Sequence, residues 1–253
     1  MNVGCTHEDA ERKLAPKLNE HREEILLGCK TQERSYHGAW GSIHRSLERL
    51  DTDHIELLQF HAVTRYDQLD RITGESARTT GEGNHGGALA ALEEAKAEGI
   101  VDHIGLTSHG DPSLIRSAID RIPTLDTAMF PFNATLDAKK GPEYDYRSVL
   151  NNARERDLGT LCIKPFAKRS WPADVPEDEC PYETWHEPYD DPDDLERCLR
   201  YALSNGMTSI PSAGDPALVA PILEAATRYE PLSEEEASRH REDTDDDSPV
   251  PAP

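Results

Sequence analysis

Short apolar runs alternate with amphipathic segments along almost the whole chain, and no other feature constrains the fold as strongly. The runs have the length of strands and are rich in branched side chains; they lie at 23–30, 54–61, 103–109, 127–133, 159–166 and 207–213. Regular alternation of strands and helices with short connections is typical of parallel βαβ units. Because the runs are apolar nearly throughout, we expect strands that are covered on both faces.

The segments between these runs predict helices by the spacing of their apolar residues. In one of them, Trp40, Ile43, Leu47 and Leu50 recur at helical intervals. Two others begin with Asp-Pro, a helix cap followed by a proline in the first turn. Pro221 should kink or interrupt the last helix. We predict helices over 8–18, 40–50, 87–98, 111–122, 146–157, 193–203 and 215–226.

The number of strands indicates the fold class. Six strands separated by helices, with no G-x-G-x-x-G motif after the first, favour a (β/α)8 barrel of the TIM type over a doubly wound sheet. A complete eight-stranded barrel would require two strands beyond these six, and Met1–Val3 is long enough only for the stub of one strand. We therefore predict an α/β barrel that lacks its first strand and most of its second. The barrel should span residues 1–232, and residues 233–253 should form an acidic, largely disordered tail with at most one or two helical turns.

The charge balance argues against some functions. With 49 acidic and 27 basic residues, the formal net charge is −22, which disfavours a nucleic-acid-binding surface. Only eight of the basic residues are lysines, and an acidic, lysine-poor surface suits a halophilic cytoplasm. No apolar run is long enough to cross a bilayer. Five cysteines without a C-x-x-C pair indicate reduced thiols. We predict a cytoplasmic protein without a membrane or nucleic-acid partner.

Two long segments interrupt the alternation. Residues 71–87 are rich in glycine and polar side chains and should form a mobile loop. Residues 171–193 are rich in proline but contain Trp171, Tyr182, Trp185 and Tyr189. Aromatic side chains in a long loop after a strand suggest either a lid over a ligand or a segment folded back over the outer helices.

A polar side chain stands at the end of every predicted strand. Because catalysis in such barrels takes place at the C-terminal ends of the strands, these side chains are candidates for a functional site. A lone histidine in such a position is more often a core residue, but six polar endings exceed what a core needs. We expect Lys30 and His61 to lie side by side and the set to line one pocket. The set comprises Lys30, His61, Ser108 with His109, Asn133, Lys164, and Ser212 with Gly214.

The same segments resemble the aldo-keto reductases. S-L-E-R-L-D-T-D-H-I-E-L-L-Q-F-H (46–61) is similar to the segment that ends in the active-site histidine of that family. E-E-I-L-L-G-C-K-T (23–31) resembles the strand that carries its lysine. Later strands follow in the family's order: A-E-G-I-V-D-H-I-G-L-T-S-H, C-I-K-P-F and S-I-P-S-A. The resemblance implies an oxidoreductase that reduces a small aldehyde or ketone with NADP or NAD as cofactor.

The resemblance also implies catalytic roles. In the family a Tyr protonates the carbonyl oxygen, a Lys and an Asp tune the Tyr, and a His orients the substrate. Lys30 and His61 match two of these residues, whereas Asn2 and His7 stand where the Asp and the Tyr are expected. An ammonium group beside His7 would disfavour its imidazolium form and weaken it as a proton donor. The activity implied for this chain is therefore an impaired one.

For the cofactor, the resemblance implies contacts from the later strand ends, namely Ser108, His109, Asn133, Lys164, Ser212, Ala213 and Gly214. Relatives often place an Arg or Lys after the last strand to pair with the 2′-phosphate of NADP, but this chain has S-A-G-D-P there. Backbone N–H groups at the start of the next helix could still take a phosphate. No metal is expected.

Two other functions are compatible with these residues. The first is a catalytically silent barrel that binds a nucleotide or a protein partner. The second is a metal-dependent hydrolase with His7, His61 and His109 as ligands. Barrel hydrolases usually open with an H-x-H strand, which this sequence does not contain, so the second is the weaker alternative.

Overall fold

The computed structural model describes residues 8–75 and 86–244. The chain divides into two compact units. One consists of the residues up to 110 together with 114–128, and the other of 111–113 and the residues from 129 onward. Within the described ranges, no helix is long and apolar enough to cross a membrane.

The first unit alternates helices and strands as predicted. β1 pairs in parallel with β2, and β2 pairs in parallel with β3. The strands are β1 (Gly28–Thr31), β2 (Ile55–Phe60) and β3 (Val101–Thr107). The helices are α1 (Glu8–Glu20), α2 (Tyr36–Leu50), α3 (Tyr66–Ile72), α4 (Ala88–Ala97) and most of α5 (Pro112–Arg121).

Burial explains why these elements form. Ile55, Leu58 and Phe60 of β2 are almost completely buried, as the apolar run predicted. The helix α2 starts where the Ser35 hydroxyl accepts a hydrogen bond from the Gly38 N–H, and it buries one apolar face. Each large apolar side chain buried in this way contributes roughly 1.5–3 kcal/mol. The core therefore fixes both the strand and the helix that covers it.

The second unit contains one sheet strand of its own, a short hairpin and five helices among its described residues. β4 (Thr127–Pro131) begins in the first unit and ends in the second. The hairpin pairs β6 (Ala167–Arg169) with β7 (Glu187–Pro188) in antiparallel fashion. The remaining elements are β5 (Gly159–Ile163), α6 (Ala134–Ala138), α7 (Tyr146–Glu155), α8 (Pro192–Ser204), α9 (Pro216–Thr227) and α10 (Glu234–Asp243).

The strands of the main sheet follow one another in chain order, β1-β2-β3-β4-β5. This order, with helices between the strands, confirms the predicted α/β fold class, a barrel-type arrangement with fewer than eight strands among the described residues. The hairpin β6–β7 was not predicted; it lies within or next to the proline-rich segment 171–193, where no regular periodicity indicated a strand.

The last predicted strand, 207–213, is not a continuous strand. Only Ser209 forms a β-bridge, in parallel with Leu161. The N–H groups of Thr208 and Ser209 both donate to the carbonyl oxygen of Thr160. Pro211 has no N–H group to donate, so the ladder does not extend further.

Pro221 does not interrupt α9, contrary to our expectation. The side chains of Leu218 and Ile222, on either side of it, are buried in one apolar cluster with Leu195 and Leu199 of α8. Packing of this face outweighs the single backbone hydrogen bond that the proline removes.

The start of the predicted tail is helical. Ser233 caps α10, with its hydroxyl accepting from the Glu236 N–H while the Glu236 carboxylate accepts from the Ser233 N–H. The helix runs to Asp243 and buries His240, so it is longer than the one or two turns expected. Residues 245–253 lie outside the described residues. The domain boundary at residue 232 stays a prediction.

A buried carboxylate links four helices of the second unit. Asp137 in α6 accepts hydrogen bonds from Arg147 in α7 and from the Tyr201 hydroxyl in α8. Arg241 in α10 donates to the same Tyr201 hydroxyl at 3.3 Å. Burial alone would raise the pKa of Asp137, but the hydrogen bonds from Arg147 and Tyr201 outweigh it and hold this pKa below its ordinary value.

We expect Asp137→Asn to lower the free energy of unfolding by about 1.5–3 kcal/mol, because it removes charge-assisted hydrogen bonds and leaves the Arg147 guanidinium without its carboxylate. The matched control is Asp67→Asn. Asp67 accepts two hydrogen bonds from Arg65 at 2.8 and 3.0 Å, but both side chains are more than 60 % exposed. Such a surface pair contributes about 0–1 kcal/mol. Denaturant unfolding near neutral pH measures both variants, and equal losses would contradict the assigned role of Asp137.

Candidate active site

In the first unit, Lys30 and His61 stand at the ends of neighbouring parallel strands. Lys30 lies in β1, opposite Gln59 of β2 in the strand register. His61 directly follows β2, and its N–H donates to the carbonyl oxygen of Thr31 at 2.8 Å. The parallel register thus brings the ends of the two strands together.

A second cation near His61, Arg34, was not predicted from the sequence. Its guanidinium is buried and donates to three backbone carbonyl oxygens, those of Thr31, Glu33 and His61. Arg34 therefore fastens the end of β1 to the end of β2. A single arginine in a loop carries no periodic signal, so the sequence alone could not indicate this role.

The imidazole of His61 is held in its neutral form. Burial, followed by the charges of Lys30 and Arg34, lowers the pKa of His61 to about 4. Near neutral pH one ring nitrogen carries a proton that can be donated to a ligand, and the other can accept. The arrangement is therefore a neutral hydrogen-bond donor beside a cation, which suits a carbonyl oxygen that gains negative charge.

The loop after His61 is fixed by β3. Ala62 has a left-handed backbone conformation, with φ of 51°, and its N–H donates to the Thr107 hydroxyl at 2.9 Å. The buried Ser108 hydroxyl donates to the Val63 carbonyl oxygen at 2.6 Å and accepts from the Gly110 N–H at 3.0 Å. Ser108 thus holds two loops together. His109 beside it is half-buried. A cofactor contact from either residue stays a prediction.

In the second unit, Asn133 positions the backbone of Lys164. The Asn133 amide donates to the Lys164 carbonyl oxygen at 2.9 Å, and its side-chain oxygen caps α6 by accepting from the Leu136 N–H. Lys164 itself adopts a left-handed conformation with φ of 59°. Burial lowers the pKa of its ammonium to about 8. The side chain that follows β4 thus holds the backbone of the lysine that follows β5.

A cavity of about 180 Å³ lies beside Lys164. It is lined by residues 163–167, 184–186, 188 and 211–214. The cavity therefore brings Lys164 together with Ser212, Ala213 and Gly214, all four of which were predicted to bind the cofactor. It also includes Trp185 and His186, which come from the segment predicted to be a lid or a folded-back loop.

The start of α9 is already occupied by a side chain. Asp215 is buried, and its carboxylate accepts hydrogen bonds from the N–H groups of Ala217 and Glu183 at 2.8 and 2.7 Å. The Ala217 N–H, which we expected to be open to a phosphate, is therefore engaged by a carboxylate.

Three predictions from the sequence concern residues outside the described ranges. Asn2 and His7, the predicted replacements for the family's Asp and Tyr, and residues 76–85 of the predicted mobile loop lie outside the described residues. In the ranges that are described, no group of three or more His, Cys, Asp or Glu side chains is arranged to hold a metal ion.

Alternating strands and helices, with a lysine and a neutral histidine at adjoining strand ends, define a β/α protein with a candidate active site at the ends of its strands. The sequence profile of the Aldo/keto reductase family matches residues 7–171. The chain belongs to this family and is an oxidoreductase of its type. The match includes Lys30, His61 and Lys164, whereas the cavity residues from 184 onward lie beyond it. No curated protein sequence matches the chain significantly.

Solved structures show the same fold. The chain is similar to the holo form of an aldo-keto reductase from Bacillus halodurans, with 19 % identity, a TM-score of 0.64, and coverage of 94 % of this chain and 79 % of that one. An aldo-keto reductase of Bombyx mori in complex with NADP has 16 % identity, a TM-score of 0.63, and coverage of 95 % and 76 %. An aldo-keto reductase from a deep-sea metagenome library of the Medee basin has 14 % identity, a TM-score of 0.65, and coverage of 99 % and 84 %.

The influence of Lys30 on His61 can be measured directly. We expect Lys30→Met to raise the pKa of His61 above about 4, because the variant removes one of the two neighbouring charges while burial and Arg34 still act. Lys30→Arg keeps the charge and serves as the matched control. NMR titration of the imidazole signals, with His61→Gln to assign the resonance, measures the pKa. An unchanged pKa in Lys30→Met would contradict the proximity of the two side chains.

Proposed function

We propose that this chain reduces a small aldehyde or ketone with NADPH or NADH as hydride donor. The observation that carries the proposal is the neutral, half-buried His61, which lies near the charges of Lys30 and Arg34 at two adjoining strand ends. A neutral imidazole can donate a hydrogen bond to a carbonyl oxygen, and a fixed ammonium stabilises the negative charge that develops on this oxygen during reduction.

The residues of the second-unit cavity fit a nicotinamide nucleotide. Its lining contains a lysine and no carboxylate, and such a donor set suits a pyrophosphate. Lys164 would bind phosphate oxygens, Asn133 would hold the Lys164 backbone in place, and Ser212, Ala213 and Gly214 would contact the nucleotide. Ser108 and His109 are the remaining proposed contacts. When bound, the nicotinamide supplies the hydride.

The proton for the carbonyl oxygen would come from His7. Imidazolium is an acceptable general acid near neutral pH, but the ammonium of Lys30 would disfavour it. Asn2 cannot supply the negative charge that an Asp would. The proposal therefore includes a slow reaction, whose rate falls as the pH rises and imidazolium is lost. The replacements Asn2 and His7 also favour the alternative, a catalytically silent barrel that binds a nucleotide or a protein partner.

The amino-acid composition supports the proposed cellular location and the expected absence of a nucleic-acid partner. The formal net charge of −22 and the few lysines favour a cytoplasm rich in salt and disfavour a nucleic-acid partner. We place the barrel in residues 1–232 and the acidic tail in 233–253.

The proposal is tested by oxidation of NADPH and NADH with a panel of small aldehydes and ketones in molar salt. We expect slow reduction by the chain itself and a gain of about 10²–10⁴-fold in the double variant Asn2→Asp, His7→Tyr, because a better general acid contributes roughly this factor. If neither protein is active and neither binds a nucleotide, the proposed reductase activity is refuted. The remaining hypothesis is then a catalytically silent barrel that binds a protein partner.

A second comparison tests His61. We expect His61→Gln in the double-variant background to lower kcat/KM for the carbonyl substrate. His44→Gln is the matched control, because His44 is exposed on α2 and stacks on Trp40. Circular dichroism confirms that both variants fold. Equal activity of the His61 and His44 variants would contradict the role of His61 in binding the carbonyl.

A further inference from the structure

The cavity of the second unit differs in charge from the rest of the chain. The chain has 49 acidic residues among 253, yet the residues that line this cavity include no carboxylate. They do include Lys164 and His186, the two side chains of the lining that can carry a positive charge. A lining with a lysine and no carboxylate is a more favourable surrounding for an anion than the acidic surface of the chain.

The position of Lys164 is determined by its backbone. A left-handed conformation is rare for a residue with a side chain and persists only where the surroundings hold it. Here the Lys164 carbonyl oxygen accepts hydrogen bonds from the Asn133 amide at 2.9 Å and from the Ala167 N–H at 3.3 Å. The lysine is therefore presented to the cavity by a fixed turn rather than by a flexible loop.

His186 also lines the cavity, and the segment that carries it is held in place by hydrogen bonds. The Thr184 hydroxyl donates to the His186 carbonyl oxygen at 2.7 Å, and the Trp171 indole N–H donates to the Thr184 carbonyl oxygen at 2.7 Å. Burial, and after it the charge of Lys164, lowers the pKa of His186 to about 4. The histidine is therefore neutral near pH 7 and close enough to the lysine to sense its charge.

The charged groups around the pair have other partners. The Glu187 carboxylate, next in the chain, accepts two hydrogen bonds from Arg169 at 2.6 and 2.9 Å across the hairpin. Asp215 is held by backbone N–H groups, and the Lys168 ammonium lies 5.7 Å from the centre of the Tyr189 ring. None of these three groups belongs to the lining of the cavity.

We propose that Lys164 and His186 together bind the phosphates of the nucleotide, and that this binding takes up protons at the pair. His186 thereby becomes a further positioning residue for the cofactor, and cofactor affinity becomes dependent on pH. This inference rests on the proposed function for the identity of the ligand.

The sign of the pH dependence follows from the charges. A bound anion favours the protonated form of each group, so it raises the pKa of Lys164 above about 8 and that of His186 above about 4. Above pH 8 the unbound protein must first protonate Lys164 before the anion binds. The dissociation constant of the nucleotide should therefore rise about tenfold between pH 7 and pH 9.

The experiment is calorimetric titration of the full chain with NAD⁺ or NADP⁺, whichever binds more tightly, at several pH values from 7 to 9. At pH 8, titrations in two buffers of different ionisation enthalpy measure proton uptake, for which we expect about half a proton per nucleotide. Imidazole NMR, with His186→Gln to assign the signal, should show the pKa of His186 rising when NAD⁺ saturates the site.

Two variants separate charge from structure. Lys164→Arg keeps a cation that does not titrate in this range, so binding should remain and its dependence on pH between 7 and 9 should disappear. Lys164→Met should weaken binding at least tenfold at pH 7. If a variant fails to fold by circular dichroism, the pH series of the unchanged chain still decides the question.

The outcomes distinguish the two proposals. Nucleotide binding with a constant affinity from pH 7 to 9 and no proton uptake would overturn the Lys164–His186 pair and leave the proposed function intact. No binding of either nucleotide at any pH would overturn both. Binding by Lys164→Arg that still weakens at alkaline pH would overturn the assignment of the proton to Lys164.

Discussion

The register between β1 and β2 is the constraint on which the candidate active site depends. Because the two strands run in parallel and Lys30 lies opposite Gln59, the residue that follows β2 is His61, at the same end of the sheet as Lys30. A shift of one residue would turn the lysine side chain to the other face. Arg34 reinforces this register, since its guanidinium bonds the carbonyl oxygens of both strand ends. The chemistry of the site is thus a direct consequence of strand pairing.

Burial sets the protonation states of the candidate functional groups in both units. It is the first cause of the lowered pKa values of His61, Lys164 and His186, and neighbouring cations add to it at the two histidines. Among the residues that the structure describes, no carboxylate contributes to these three pKa shifts, although the chain has a strong excess of acidic residues. The histidines therefore remain neutral donors, and the lysine lies close to its titration point near neutral pH.

Much of the fold was predictable from the sequence, because apolar runs and helical spacing report directly on burial. Five of six predicted strands form, and the polar residues at their ends, such as Lys30 and Lys164, were identified. Arg34 and His186 were not identified, because their positions depend on hydrogen bonds to the backbone rather than on a repeating pattern. The strand at 207–213 was overestimated, since the pattern of apolar residues does not register the missing N–H of Pro211. The length of α10 was underestimated, because its charged sequence gave little sign that His240 would be buried.

The hydrogen bonds of Arg34 respond to salt differently from the ion pairs on the surface of the protein. Arg34 is buried, its partners are backbone carbonyl oxygens, and His61, whose pKa it lowers, is half-buried, whereas pairs such as Arg65–Asp67 are exposed to solvent. In molar salt the Debye length falls to about 3 Å, so the attraction within solvent-exposed pairs is largely lost, while interactions between buried groups are screened much less. Substitutions on the surface can therefore adapt the chain to very different ionic strengths without altering the electrostatic environment of His61. Salt in the medium therefore acts mainly on the exposed charges of this protein and much less on the charges near His61.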